Sequence, residues 1–251
     1  MQPTWRLLDS GLVDSAQSAA LDEAILEAHI AHAVPNTLHF YVRTTPTISI
    51  GYFQKASESL DLEECARRGI QLVRRKSGGS SIYTDSGQLI YGLVVSESDV
   101  PRERPQSFRF ICSALARAIS SFGVDARYRE MNDVEIAGRK VSGNAQLRRK
   151  GSLLQHGTII LDTDLSAMDA VLRMKESKRH SISTPSDRIV TLASLIGRAP
   201  SMTEMKRRIS LELARDFEIK FVESSLTPLE NRLVHKLVDD RYSKRDWNLK
   251  F

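Results

Sequence analysis

Between residues 14 and 33, Leu21, Ala24, Ile25 and Ala28 recur three and four positions apart, the spacing of one helix face. Runs at 38–43, 47–52 and 70–75 are short, apolar and β-branched and predict strands, with a helix near 60–68 between the last two. Phe108, Ile111, Cys112, Leu115, Ile119 and Phe122 repeat at helical intervals and stop at Gly123, a residue suited to the position just past a helix end. Residues 132–146 alternate apolar and polar across a turn at Ala137-Gly138 and meet a second alternating run at 152–161, so a three-stranded meander is expected. A helix over 163–174 would bury Leu165, Met168, Val171 and Leu172. Ser201-Met202-Thr203-Glu204 has the form of a capping box, opening a helix that carries Met205, Ile209, Leu213 and Phe217 on one face. Residues 217–222 alternate as a strand, and Thr227-Pro228-Leu229-Glu230 opens a last helix with proline in its first turn. Helices and strands interleave without the regular period of a doubly wound sheet. The fold class expected is therefore α/β (α+β), built on a large mixed or antiparallel sheet flanked by helices.

The chain has 251 residues, enough for a large buried core. Its formal charge of +5 favours acidic partners, yet like-charged blocks are no longer than Arg148-Arg149-Lys150, so a solvated basic surface is expected rather than a nucleic-acid interface. There are two cysteines. That rules out a disulfide framework and gives no metal-ligand spacing, and both fall on apolar helix positions, where burial is the expected role. The N-terminal residues lack a signal peptide's basic start and apolar core, and no run is long enough to cross a bilayer; a cytoplasmic protein without a membrane partner is expected.

Two segments carry the chemistry. The stretch Arg74-Arg75-Lys76-Ser77-Gly78-Gly79-Ser80-Ser81-Ile82-Tyr83-Thr84-Asp85-Ser86-Gly87 reads as strand, exposed loop, strand. Glycines let a backbone approach phosphate closely, and an arginine can fork two hydrogen bonds onto phosphate or carboxylate oxygens. The second segment runs Asn132-Asp133-Val134-Glu135-Ile136-Ala137-Gly138-Arg139-Lys140-Val141-Ser142-Gly143-Asn144-Ala145-Gln146. Its centre strand sets Lys140 beside Ser142, Gly143 and Ala145, small residues that leave room for a ligand against the sheet.

At these residues the chain resembles the lipoate-protein ligase A family, the acyl-adenylating branch of the biotin and lipoate protein ligases. Arg74 to Leu89 is similar to the family's Arg-Arg-x-Ser-Gly-Gly-Gly loop and the strand after it, Asn132 to Ala145 to its Asn-Asp…Gly-Arg-Lys-x-x-Gly-x-Ala segment, and His156-Gly157-Thr158 to its His-Gly-Thr strand. Weaker similarity includes Asp22-Glu23-Ala24, Ile50 to Gln54, and Tyr242 to Asn248. Ser80 stands where the family has its third glycine, a change that restricts the backbone but adds a hydroxyl donor.

The resemblance implies a biotin/lipoate ligase catalytic domain spanning 1–251 without the small C-terminal accessory domain of many members, so that a separate small accessory subunit is an option. It implies ATP and Mg²⁺ as cofactors, lipoate or octanoate as substrate, and a lysine of a lipoyl carrier domain as acceptor. Arg75, Gly78, Gly79, Ser80, Ser81, Ile82, Tyr83, Asn132 and Asp133 would then bind ATP and the acyl-adenylate. Lys140 would be the catalytic cation between acyl carbonyl and phosphate. Ser142, Gly143, Ala145, His156 and Gly157 would join Lys140 in lining the acyl site. Asp133 is the candidate Mg²⁺ ligand, with capping of the strand turn as the other reading of Asn132-Asp133. The breaker-rich, basic connection 175–200 reads equally as a lid or a linker. Two alternatives compete: an octanoyl or lipoyl transferase working through a cysteine thioester, for which no cysteine lies near Lys140 or His156, and a non-catalytic nucleotide-binding protein.

Overall fold

The computed structural model describes residues 2–173 and 184–251. Its strands are β1 (Thr4–Val13), β2 (Thr37–Arg43), β3 (Thr47–Ile50), β4 (Gln71–Arg74), β5 (Ile82–Thr84), β6 (Gln88–Ser96), β7 (Ala126–Arg129), β8 (Asp133–Ile136), β9 (Arg139–Arg149), β10 (Ser152–Ile160) and β11 (Lys220–Glu223). The helices are α1 (Ser15–Ile30), α2 (Ala56–Ser59), α3 (Leu62–Arg67), α4 (Arg104–Ser120), α5 (Leu165–Val171), α6 (Leu192–Ile196), α7 (Met202–Asp216), α8 (Pro228–Leu237) and α9 (Arg245–Asn248). Eight strands form one mixed sheet in the order β11-β1-β2-β6-β10-β9-β8-β7, parallel only where β1 meets β2 and β11. A second sheet, β4-β3-β5, is set apart from it.

Alternation along each strand divides the large sheet into two faces. Leu38, Phe40, Leu89, Tyr91, Leu93, Leu153 and Ile159 point to one of them and form the main core with α4 and α7. The α4 stripe behaves as its spacing predicts, with Ile111, Cys112, Leu115 and Ile119 fully buried. The alternate residues, among them Tyr41, Ile90, Val94 and Leu154, face α1 in two further clusters. Burial of apolar area on both faces at roughly 25 cal/mol per Å² is the main stabilising term.

Local differences from the expected elements have local causes. Strand β1 escapes an alternation search because Asp9, Ser10 and Gly11 interrupt it with a register shift, Gly11 taking φ +60°. The expected strand at 217–222 begins three residues late: Phe217 closes α7 and Glu218 has φ +54°. Helix α1 is not amphipathic in the usual sense. Ser15, Ser18, Asp22, Glu23 and His29 are buried alongside its leucines and alanines, because the sheet covers one side and α8 another.

Those buried polar groups place titratable residues in the interior. His39 on β2 donates to or accepts from Ser10 Oγ at 2.9 Å, and burial pulls its pKa down to about 4 against weaker support from Asp22 and Asp9. The unfolded chain takes up this proton near pH 6.5 while the folded one resists to about 4. The contribution is therefore present above pH 6.5 and lost as pH falls through that window, on the order of 3 kcal/mol at 1.4 kcal/mol per pH unit. A His39→Gln variant is expected to lose this part of the acid sensitivity in urea titrations at pH 7 and pH 4.5; an unchanged pH slope would mean His39 is protonated in the fold.

Candidate active site

The loop between β4 and β5 is built around Arg75. Its guanidinium is buried and its donors all point inward: Nε to Ser77 Oγ at 3.1 Å, Nη1 to the Ser49 carbonyl at 2.7 Å, and Nη2 to the carbonyls of Gly78 and Ser80, each at 2.8 Å. Burial lowers its pKa to about 10. Because each peptide is planar and trans, drawing the Gly78 and Ser80 carbonyls inward turns the N–H groups of Gly79 and Ser81 the other way. The result is a donor-bearing loop suited to an anion. The sequence suggested Arg75 as a direct anion contact; here its donors are engaged by Ser49, Ser77, Gly78 and Ser80, so it shapes the loop from inside.

Arg74 is buried likewise and binds the carbonyls of Gly51, Tyr52, Gln54, Trp247 and Lys250, tying the last residues to the loop's base. Gly79 has φ +97°, and a Cβ at Gly51 would lie 1.9 Å from the Gly79 carbonyl oxygen. Gly51→Ala is therefore expected to push residues 78–81 out of place and destabilise the fold by about 1–3 kcal/mol in urea unfolding. A wild-type urea midpoint in that variant would mean that the loop gives way without cost. Ile82 and Tyr83 are not loop residues: they start β5, and the Tyr83 ring is buried in the core of the small sheet. Asp85 closes an Asx turn onto the Gly87 N–H at 2.9 Å and holds Thr163 at 2.8 Å.

The meander places Lys140 through a bulge. Pairing runs Val134 with Ser142 but Glu135 with Lys140, so one extra residue, Val141, sits in β9. In a regular strand Lys140 and Ser142 would share a face. Here Val141 and Ser142 both turn into the α4 side, while Lys140 lies over Gly143. A Cβ on Gly143 would come within 3.6 Å of Lys140 Nζ, and Nζ pairs with Asp133 Oδ2 at 2.8 Å. Gly157 also faces the α4 side, where a side chain would collide with Asn144 Oδ1 at 2.2 Å. Ser142 and Gly157 are thus displaced from the proposed acyl face, and Gly143, Ala145 and His156 stay on it. Asn132 is tied to β9: its amide donates to the Asn144 carbonyl while its own carbonyl accepts from Asn144.

His156 stands across from Ala145 on the same face. Its Nε2 meets Ser77 Oγ at 2.6 Å and its Nδ1 meets Asp22 Oδ2 at 2.6 Å, so β10, the loop and α1 are joined in one hydrogen-bonded line. The described part of the connection, 184–200, comes back to Lys140: the Val190 N–H donates to the Lys140 carbonyl at 2.9 Å, and Ser186 binds Asp169. Residues 175–183 of the expected lid or linker lie outside the described residues. Neither cysteine lies on this face. Cys112 lies under the sheet beside Gln155, and Cys65 lies in the small-sheet core; burial pushes their thiols up to about 12 and about 11.

Residues 14–214 match the family described as lipoyl protein ligase A/B catalytic domain. The chain belongs to this family. Among solved structures, it superposes on the bi-partite lipoate protein ligase of Thermoplasma acidophilum with a TM-score of 0.87 at 31% identity, covering 98% of this chain and 96% of that one. A lipoate-protein ligase A bound with ATP gives 0.85 at 29% identity, with 99% of each chain covered. Among curated relatives, the octanoyltransferase LipM of Brevibacillus brevis is 32% identical over 273 residues, covering 98% of this chain and 99% of the relative. That of Kyrpidia tusciae is 32% identical over 271 residues, covering 98% of each. The chain is thus a member of a lipoate and octanoate ligase and transferase family with the biotin/lipoate ligase fold. Of the described residues, no helix is long and apolar enough to cross a membrane.

Sequence reading missed Asp22 as a site residue. Its signals are the weak family similarity at Asp22-Glu23-Ala24 and an acidic pair beside the apolar positions of a helix. Glu23, the other half of that pair, gathers Arg241, Tyr242 and Lys76, with Trp247 packed against Lys76 and Arg241.

Proposed function

We propose that this chain is a lipoate-protein ligase: it activates lipoate or octanoate with ATP to an acyl-adenylate and passes the acyl group to a lysine of a lipoyl carrier domain. The observation that carries the reading is the placement of the thiols. Transfer through an enzyme thioester needs an accessible thiolate. Both cysteines are sealed in apolar clusters with raised pKa values, and neither shares a face with Lys140.

Activation needs no enzyme nucleophile. A carboxylate oxygen attacks the α-phosphorus as the bond to the β-phosphate breaks and pyrophosphate leaves, and the requirement is positive charge where negative charge develops. The outward N–H groups of Gly79 and Ser81 would hold phosphate oxygens, and Lys140 would bridge acyl and phosphoryl oxygens above Gly143, which leaves the space. Asp133 has one oxygen engaged by Lys140, while its Oδ1 is buried without a hydrogen-bond partner among the described residues. One available carboxylate oxygen fits Mg²⁺ held chiefly by phosphates and water. When bound, the ion would neutralise phosphate charge.

The names of the curated relatives favour a second reading, transfer of an octanoyl group between carriers. Two reactions with an apo lipoyl domain separate them, each read by intact mass: ATP, Mg²⁺ and free octanoate in one, an octanoyl carrier thioester without ATP in the other. The ligase reading expects acylation only in the first. Acylation only in the second makes the chain a transferase, and transfer from supplied octanoyl-AMP without activation points to a separate accessory subunit.

A further inference from the structure

We propose that Ser77, His156 and Asp22 form a proton relay that accepts the proton of the acceptor lysine as its amine attacks the activated acyl group. This rests on the reading that the acyl group is passed to an amine. It applies whether the activated donor is an adenylate or a thioester.

The geometry comes from three separate elements: α1 supplies the carboxylate, β10 the imidazole and the β4–β5 loop the hydroxyl, with both contacts at 2.6 Å. The roles follow from what each atom can do. Arg75 Nε donates to Ser77 Oγ, so the serine hydrogen is available to His156 Nε2, and one Ser77 lone pair is left. The carboxylate at Nδ1 fixes the tautomer with its proton on Nδ1 and its lone pair on Nε2. Asp22 is suited to steady an imidazolium: Oδ2 has only Nδ1 and, at 3.5 Å, the Tyr41 hydroxyl, while buried Oδ1 has no partner among the described residues. The other titratable groups around the relay are His39, Tyr41 and Arg43 on β2, Arg75 beside Ser77, and the Glu23–Lys76 pair.

His156 lies opposite Ala145, and along β9 Ala145 is one two-residue strand repeat, roughly 7 Å, from Gly143, over which the Lys140 ammonium lies. The acceptor amine, attacking a carbonyl held by Lys140, would therefore approach between the two. The amine nitrogen bonds to the acyl carbon and gives up a proton to Ser77 Oγ as the Ser77 proton passes to Nε2. The bond from acyl carbon to its leaving phosphate or thiolate then breaks, and the imidazolium returns its proton to the leaving group or to water. Asp22 touches no reactant and acts as a positioning residue.

Single-turnover transfer from supplied octanoyl-AMP to a saturating apo carrier domain, followed from pH 6 to pH 10, tests the relay with Asp22→Asn and His156→Gln. Wild-type transfer is expected; its absence sinks the functional reading rather than the relay. The variants are expected to lose about 10²–10³-fold in rate at pH 7. The deficit should shrink as pH approaches 10, where hydroxide becomes abundant enough to take the proton of the attacking amine in place of the relay. A merely structural role would leave the deficit independent of pH. Wild-type rates, or a deficit constant across pH, in whichever variant folds would overturn the relay.

Discussion

Lys140→Ala is expected to reduce acyl-adenylate formation by about 10²–10³-fold while the protein stays folded. The size follows from removing one preorganised cation from the point where charge develops, about 3–4 kcal/mol of transition-state stabilisation. The fold should tolerate the change because the Lys140–Asp133 pair is partly solvated, at 34% and 21% exposure, and such pairs contribute under about 1 kcal/mol. Lys140→Arg should recover little, since a planar fork does not replace a compact ammonium over Gly143. Pyrophosphate release with ATP and octanoate, together with a urea melt, measures both halves. Undiminished release in Lys140→Ala would remove this lysine from the chemistry.

The second large effect is expected on stability. Arg75→Ala strips partners from the Ser49, Gly78 and Ser80 carbonyls and from Ser77 Oγ, all in a buried setting. Unsatisfied buried groups cost about 1–3 kcal/mol each without adding fully, so a loss of about 3–5 kcal/mol in urea unfolding is expected. Nucleotide affinity should fall with it, because nothing then holds the Gly79 and Ser81 N–H groups outward. An unchanged urea midpoint with ATP binding lost would return Arg75 to direct contact with phosphate.

Much of the architecture was legible in the chain. The α4 stripe from Phe108 to Phe122, the capping box at Ser201, the proline-opened helix after Thr227, and the β8–β10 meander follow from spacing that depends on neighbours in sequence alone. Strand β1 was not legible, because its bulge breaks the period and only pairing with β2 and β11 keeps it extended. The small sheet was legible as strands but not as a separate sheet, since order within a sheet is decided by long-range pairing.

At the site the division is sharper. Local sequence determined which chemistry is present: a glycine-serine loop after two arginines, a lysine two residues before a serine-glycine pair, and a histidine within a β-strand. Tertiary structure decided what each atom faces. One extra residue in β9 sends Ser142 to the opposite face from Lys140, a consequence no alternation pattern contains because a bulge is a property of two strands together. Arg75 reads as an exposed anion-binding side chain until β3 and the loop carbonyls surround it and its hydrogen bonds are consumed inside. Asp22 reads as an ordinary charge on a helix until packing of α1 against β10 brings its carboxylate to His156, 134 residues away in sequence. Periodicity reports how a residue sits within its own element; the partner that gives a polar group its function comes from contacts remote in sequence, which only the folded chain brings together.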